Sequence, residues 1–257
     1  MFDVGVDLAW GTRSPTGLAV LDAAGHLVDL GTARTDDELS TRLRPWTDAC
    51  LVGIDAPIVV RNASGSRPCE RLVGRHFGRF GASCHSANTA NPAFAGGDTR
   101  ALRLARALDL DVDPASTATR RAVEVYPHPA IVVLFDLPRI VRYKAKPGRD
   151  LPSLGSELLR LMGLLEQLEH ADPPLVVRAS PAWAAARAAV EGAATKAALR
   201  RVEDPVDAVV CAYVARLARL RPDRVRVLGT LDEGYVVTPV SPVVAAAIDA
   251  TTDGRPA

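Results

Sequence analysis

The chain has 257 residues, of which 48% are hydrophobic and 24% charged, ordinary globular usage with ample material for a core. Its 31 basic and 30 acidic side chains leave a formal charge of +1, which excludes a globally basic nucleic-acid coat but not a local basic patch. No window approaches 18 uninterrupted apolar residues, so no membrane helix is expected.

Phe2–Ala9 reads as a strand stopped by Trp10-Gly11, and it puts two acids among the first seven residues with no basic run, unlike a secretory leader. Thr16–Leu21 and His26–Ala33 are the next strands, joined by the turn Asp22-Ala-Ala-Gly25 into a three-strand antiparallel meander. Asp36–Trp46 is expected to be helical. Leu51–Ile54 is a short apolar run closed by Asp55-Ala-Pro57, the pattern of a strand buried on both faces. Residues 58–121 are less regular, with helices expected at Pro68–Phe80 and Thr99–Leu108 around a polar, glycine-containing connection. Ala122–Tyr126 returns as a strand stopped by Pro127. Helices are expected at about 151–170, 181–200 and 206–221, and a hairpin pairs Val225–Leu228 with Tyr235–Thr238. This order gives one mixed α/β domain over 1–257, with an insertion at about 58–121 and the hairpin at about 225–238.

Four carboxylates stand where core residues belong. Asp7, Asp55 and Glu124 close or interrupt apolar strands, at the sheet edge where open α/β folds bind ligands. Asp207 is the only charge from Val206 to Ala215, in a helix apolar all round and therefore buried. A buried carboxylate is costly unless paired or metal-bound. Other readings stay open: Asp7 or Asp55 as turn acids, and Glu124 as partner of Arg120 or Arg121. Asp204-Pro205-Val206-Asp207 can equally be a helix start, with Asp204 as its N-cap.

Eight arginines against two acids fall between Arg61 and Arg106, and Arg67, Arg71 and Arg75 recur at four-residue spacing. They are candidates to grip phosphates from one helix face; a solvated surface or an Arg67–Glu70 pair are the alternatives. Arg139, Arg142, Lys144, Lys146 and Arg149 form a second basic run. His128 is a candidate proton shuttle, and Trp10 is expected in the core. Four widely spaced cysteines with no C-x-x-C pair point to a reducing cytoplasm.

The stretches Gly5-Val-Asp7-Leu-Ala-Trp10-Gly11, Gly53-Ile-Asp55-Ala-Pro57, Ser64-Gly65-Ser-Arg67-Pro-Cys-Glu70, Glu124-Val-Tyr-Pro-His128-Pro, Tyr143-Lys144 and Asp204-x-x-Asp207-Ala resemble, in this order, the bacterial family catalogued as domain of unknown function 429, described as predicted ribonuclease H-like nucleases. The resemblance implies a ribonuclease H-like mixed sheet with flanking helices and a metal-dependent phosphodiester hydrolase acting on DNA or RNA. It implies Asp7, Asp55 and Asp207 as ligands of Mg²⁺ or Mn²⁺, with Glu124 as the fourth and Asp204 as a further candidate. Two ions about 4 Å apart then activate water and stabilise the leaving oxygen. Competing readings are a non-catalytic nucleic-acid-binding or scaffold protein and an actin-like or sugar-kinase ATPase. The second lacks glycine-rich phosphate turns after Asp7 and Asp55.

Overall fold

Alternating apolar residues set the sheet. In a computed structural model that describes residues 1–11 and 14–252, strands β1 (Phe2–Asp7), β2 (Thr16–Leu21) and β3 (Leu27–Ala33) pair antiparallel. The β2–β3 turn is tied by Asp22, whose Oδ1 accepts hydrogen bonds from the Ala24 and His26 amides, and Gly25 takes φ +95° there. Helix α1 (Asp36–Leu43) starts on a Thr35 cap and leads into β4 (Cys50–Ile54), which joins β1 in parallel. Helices α2 (Pro68–Phe77) and α3 (Arg100–Ala107) precede β5 (Arg120–Glu124), parallel to β4. The sheet order β3-β2-β1-β4-β5 is the expected meander plus parallel strands, and it is compatible with a ribonuclease H-like arrangement.

The remaining chain is largely helical: α4 (Pro127–Leu134), α5 (Leu151–Gln167), α6 (Pro181–Glu191) and α7 (Lys196–Leu220). A two-stranded sheet of β6 (Val225–Thr230) and β7 (Gly234–Pro239) follows, then α8 (Pro242–Thr252). Pro127, expected to end a strand and nothing more, also opens α4, where its missing N–H is no loss. Among the described residues no helix is long and apolar enough to cross a membrane.

Helices cover both faces of the main sheet. Val4, Val6, Val52 and Ile54 pack with Leu39, Leu43 and Leu104 of α1 and α3 on one face. Leu51, Val123 and Val125 pack with α5 and α7 on the other. The α7 face carries three glycines. A Cβ on Gly5 would meet the Ala208 carbonyl oxygen at 1.8 Å, one on Gly17 the Asp204 oxygen at 2.1 Å, and one on Gly53 the Cys211 oxygen at 2.5 Å. Backbone therefore lies on backbone, with Asp204 over the strand beside Asp7 and Ala208 over Gly5. The far end of α7 is pinned by Arg216 and Arg219, which donate to the buried Asp3 carboxylate at 3.1 and 2.8 Å.

The expected boundary at residues 204–206 is corrected. Thr195 caps α7, its hydroxyl accepting from the Ala198 amide at 3.1 Å, and the helix runs through Pro205. A proline forfeits one helical hydrogen bond, but the close seat on Gly17 holds the chain helical. Asp204 is therefore a mid-helix residue and not an N-cap.

Candidate active site

Strand period decides which acids meet. Asp7 shares the face of Gly5, and Asp55, whose amide donates to the Val6 carbonyl at 2.8 Å, follows Gly53 on the same side. Both lie on the face covered by α7, from which Asp207 descends fully buried. The Tyr143 hydroxyl donates to Asp207 Oδ1 at 2.6 Å. The Lys144 ammonium, 29% exposed, pairs with Asp207 Oδ2 and stands 3.6 Å from Asp7 Oδ2. Asp7 is 15% exposed, yet its Oδ2 is buried and accepts no hydrogen bond.

The electrostatics follow from crowding. Burial pushes the Asp7 carboxyl well above the usual carboxylate range; Lys144 opposes this, while Asp207, Asp55 and Asp204 reinforce it. Burial likewise pushes Asp55 to about 7, with Lys144 opposing and Asp207, Glu124 and Asp204 adding to it. One turn along α7, burial raises Glu203 to about 7 and Asp204 to about 6, against Lys144 in both cases. Burial alone would lower the Lys144 ammonium, but Asp207 and Asp7 outweigh it and hold it well above an ordinary lysine. One ammonium thus serves several carboxylates.

Glu124 lines the same cavity as Asp7 and Asp55 but is held by another partner. It pairs in register with Ile54, whose side chain faces α1 and α3, and so has the opposite strand parity to Asp7 and Asp55. Its oxygens accept from Arg67 Nη1 at 2.9 Å and Nη2 at 2.5 Å, and from the Ile58 amide at 2.8 Å. Arg67 Nε donates to Glu70 at 2.8 Å. This corrects two expectations. Arg67 is 2% exposed and cannot grip a phosphate from a helix surface, and Glu124 is committed to Arg67 and not to Arg120 or Arg121. Arg71 and Arg75 are exposed on α2, and neither borders the cavities that meet at Asp7. Lys144, expected on substrate, is held by Asp207 and Asp7. His128 sits edge-on to Tyr126 and Tyr143, with ring centroids 5.6 and 5.8 Å away, and burial lowers it to about 4, so it is neutral at pH 7. Trp10 is not core but 36% exposed, at the mouth of a cavity beside Asp7.

Tyr143 as the support of Asp207, and Glu203, Arg200 and Arg201 beside the acids, were not singled out from sequence. Tyr143 stood in the sequence only as part of the Tyr143-Lys144 stretch, without a role; for Arg200 and Arg201 the signal was the spacing 200–201–204–207, which shares a helix face only if α7 continues through Pro205. Among the described residues no group of three or more His, Cys, Asp or Glu is disposed to hold a metal ion as it stands. Asp207 is paired with the Lys144 ammonium.

The buried carboxylates lie at the carboxyl edge of the central strands, the edge at which open α/β sheets in general bind ligands. The chain is a member of the family described as protein of unknown function (DUF429), whose model matches residues 5–233. No curated protein and no solved structure matches it.

Proposed function

We propose that the chain is a divalent-metal-dependent phosphodiester hydrolase of the ribonuclease H-like kind, acting on nucleic acid. One observation carries this: Asp7 and Asp207, from separate elements, meet at a single ammonium, with Asp55 on the same sheet face near enough to raise Asp7 and Asp204 one helical turn away. Burying so many carboxylates around one cation is unfavourable, and a hard divalent ion relieves it.

The donor set fits such an ion. All donors are carboxylate oxygens, suited to Mg²⁺ or Mn²⁺, and the buried Asp7 Oδ2 has no hydrogen bond to give up. Asp7, Asp55 and Asp207 would hold the metal, with Asp204 completing the set; Glu124 is left out because Arg67 holds it. Bound there, the metal supplies Lewis acidity and a water of lowered pKa for attack on phosphorus. Tyr143 fixes the Asp207 carboxylate. With a metal on Asp207, Lys144 would be released to meet a phosphate oxygen; Arg200 and Arg201 line the cavity beside it. The four unpaired cysteines fit a reducing cytoplasm.

Cleavage of single-stranded DNA and RNA with Mn²⁺ tests this. Activity is expected in the wild type and is lost in Asp7→Asn and Asp207→Asn. Wild-type rates in both variants would overturn it. A non-catalytic scaffold has one observation in its favour, that Lys144 already offsets part of the acidic charge. A scaffold of that kind cleaves nothing under any metal.

A further inference from the structure

Asp7 borders two cavities. One, of about 490 Å³, is charged and carries Lys144, Arg200, Arg201 and Asp204. Among the described residues neither Arg200 nor Arg201 makes an ion pair. The other, of about 260 Å³, reaches past Asp55 and opens at Trp10. The Trp10 ring, 36% exposed, makes T-shaped contacts with Phe94 at 5.0 Å and His85 at 6.4 Å, and no ring is stacked parallel on it among the described residues. Tyr126 forms another wall, its hydroxyl donating to the Ser83 carbonyl at 3.0 Å. The charged wall is closed on itself: Arg67, the only lysine or arginine lining this cavity among the described residues, is shared between Glu124 and Glu70.

We propose that the smaller cavity is a nucleobase subsite. An unstacked base enters against Trp10, its phosphate lies at Asp7, and the rest of the strand runs through the Lys144–Arg200–Arg201 cleft. The inference rests on the hydrolase reading and names its substrate: single-stranded nucleic acid or a strand end, and not intact duplex. Three features carry it. The cavity is smaller than the 300–1,000 Å³ of drug-sized sites, room for one planar ring system. A large aromatic left exposed beside a phosphate-directed cleft is the arrangement that stacks bases without reading sequence. The polar side chains of the charged wall are satisfied internally, which leaves few groups to read base edges.

The test is equilibrium binding of adenosine, adenosine 5′-monophosphate and ribose 5-phosphate, followed by tryptophan fluorescence and calorimetry with and without Mg²⁺. Adenosine is expected to quench the wild type. The monophosphate is expected to bind about tenfold or more tighter than ribose 5-phosphate, as one stacked base would give. Trp10→Ala removes that difference. Trp10→Phe keeps calorimetric affinity within about threefold, as a second aromatic face would, but loses the quench. Equal binding of the two phosphates by the wild type, or unchanged monophosphate affinity in Trp10→Ala, would overturn the subsite. Asp7-dependent cleavage of an oligonucleotide with no adenosine response would sink the subsite and leave the hydrolase. A Trp10-dependent adenosine response with no cleavage of any phosphodiester would do the reverse.

Discussion

Arg67→Ala removes the one cation inside a closed cluster. Glu124 and Glu70, both buried, then face each other without the guanidinium that bonds each of them at 2.5–2.9 Å. Breaking a buried pair from one side costs about 3–5 kcal/mol, because the remaining charge stays desolvated. For a chain of this size each kcal/mol moves the melting temperature by about 2–4 °C, so a drop of roughly 6–20 °C is expected by scanning calorimetry. The deficit depends on pH. Burial raises the Glu124 carboxyl even with Arg67 in place, and without Arg67 it rises further. An acid with a raised folded pKa is tolerated below its unfolded value, and the penalty grows as pH rises through the folded one. The variant therefore loses less at pH 5 than at pH 8. Glu124→Gln added to Arg67→Ala recovers part of the loss, since an amide is cheaper to bury than an unpaired carboxylate. A variant melting within about 2 °C of the wild type at pH 8, well inside the shift of one broken pair, would show that Arg67 does not hold the fold. If it also lost nucleic-acid affinity, Arg67 would belong on a phosphate.

Other consequences follow from the same geometry. Asp55, raised to about 7, penalises the metal-free fold once charged, so the melting temperature rises from pH 8 to pH 5 and Asp55→Asn flattens that slope; an unchanged slope counts against the acidic cluster. Gly5→Ala drives a Cβ into the Ala208 carbonyl and loses about 1–3 kcal/mol or more, whereas Gly155→Ala, with open space in α5, is neutral or stabilising by denaturant titration. Arg71→Ala and Arg75→Ala leave the salt dependence of nucleic-acid binding unchanged, while Arg200→Ala and Arg201→Ala each flatten the slope of log K against log salt by about one unit; the opposite ranking would return the phosphate path to α2.

What the sequence revealed, and what it hid, divides along physical lines. The strands were legible because apolar alternation and turn residues are local signals, and the meander and its parallel neighbours form as expected. Asp7, Asp55 and Asp207 were legible as acids in apolar surroundings. Their company was not. Glu124 satisfies the same local rule, but it has the opposite strand parity and Arg67 holds it. Asp204-Pro205 has the local chemistry of a helix start, and only tertiary packing on Gly17 shows that the helix passes through it. Arg67, Arg71 and Arg75 keep their spacing, but Arg67 is the cap residue of α2 and turns inward, while the other two face solvent. Trp10 looked like core by residue type, and the open mouth beside it is a property of the assembled loops.

The most direct measurement is anomalous diffraction from crystals soaked in Mn²⁺. Density is expected against the Asp7 and Asp207 carboxylates, with Lys144 no longer on Asp207, and none in Asp7→Asn crystals. Wild-type crystals with no anomalous density at those carboxylates, and Lys144 still paired to Asp207, would contradict a metal-dependent hydrolase.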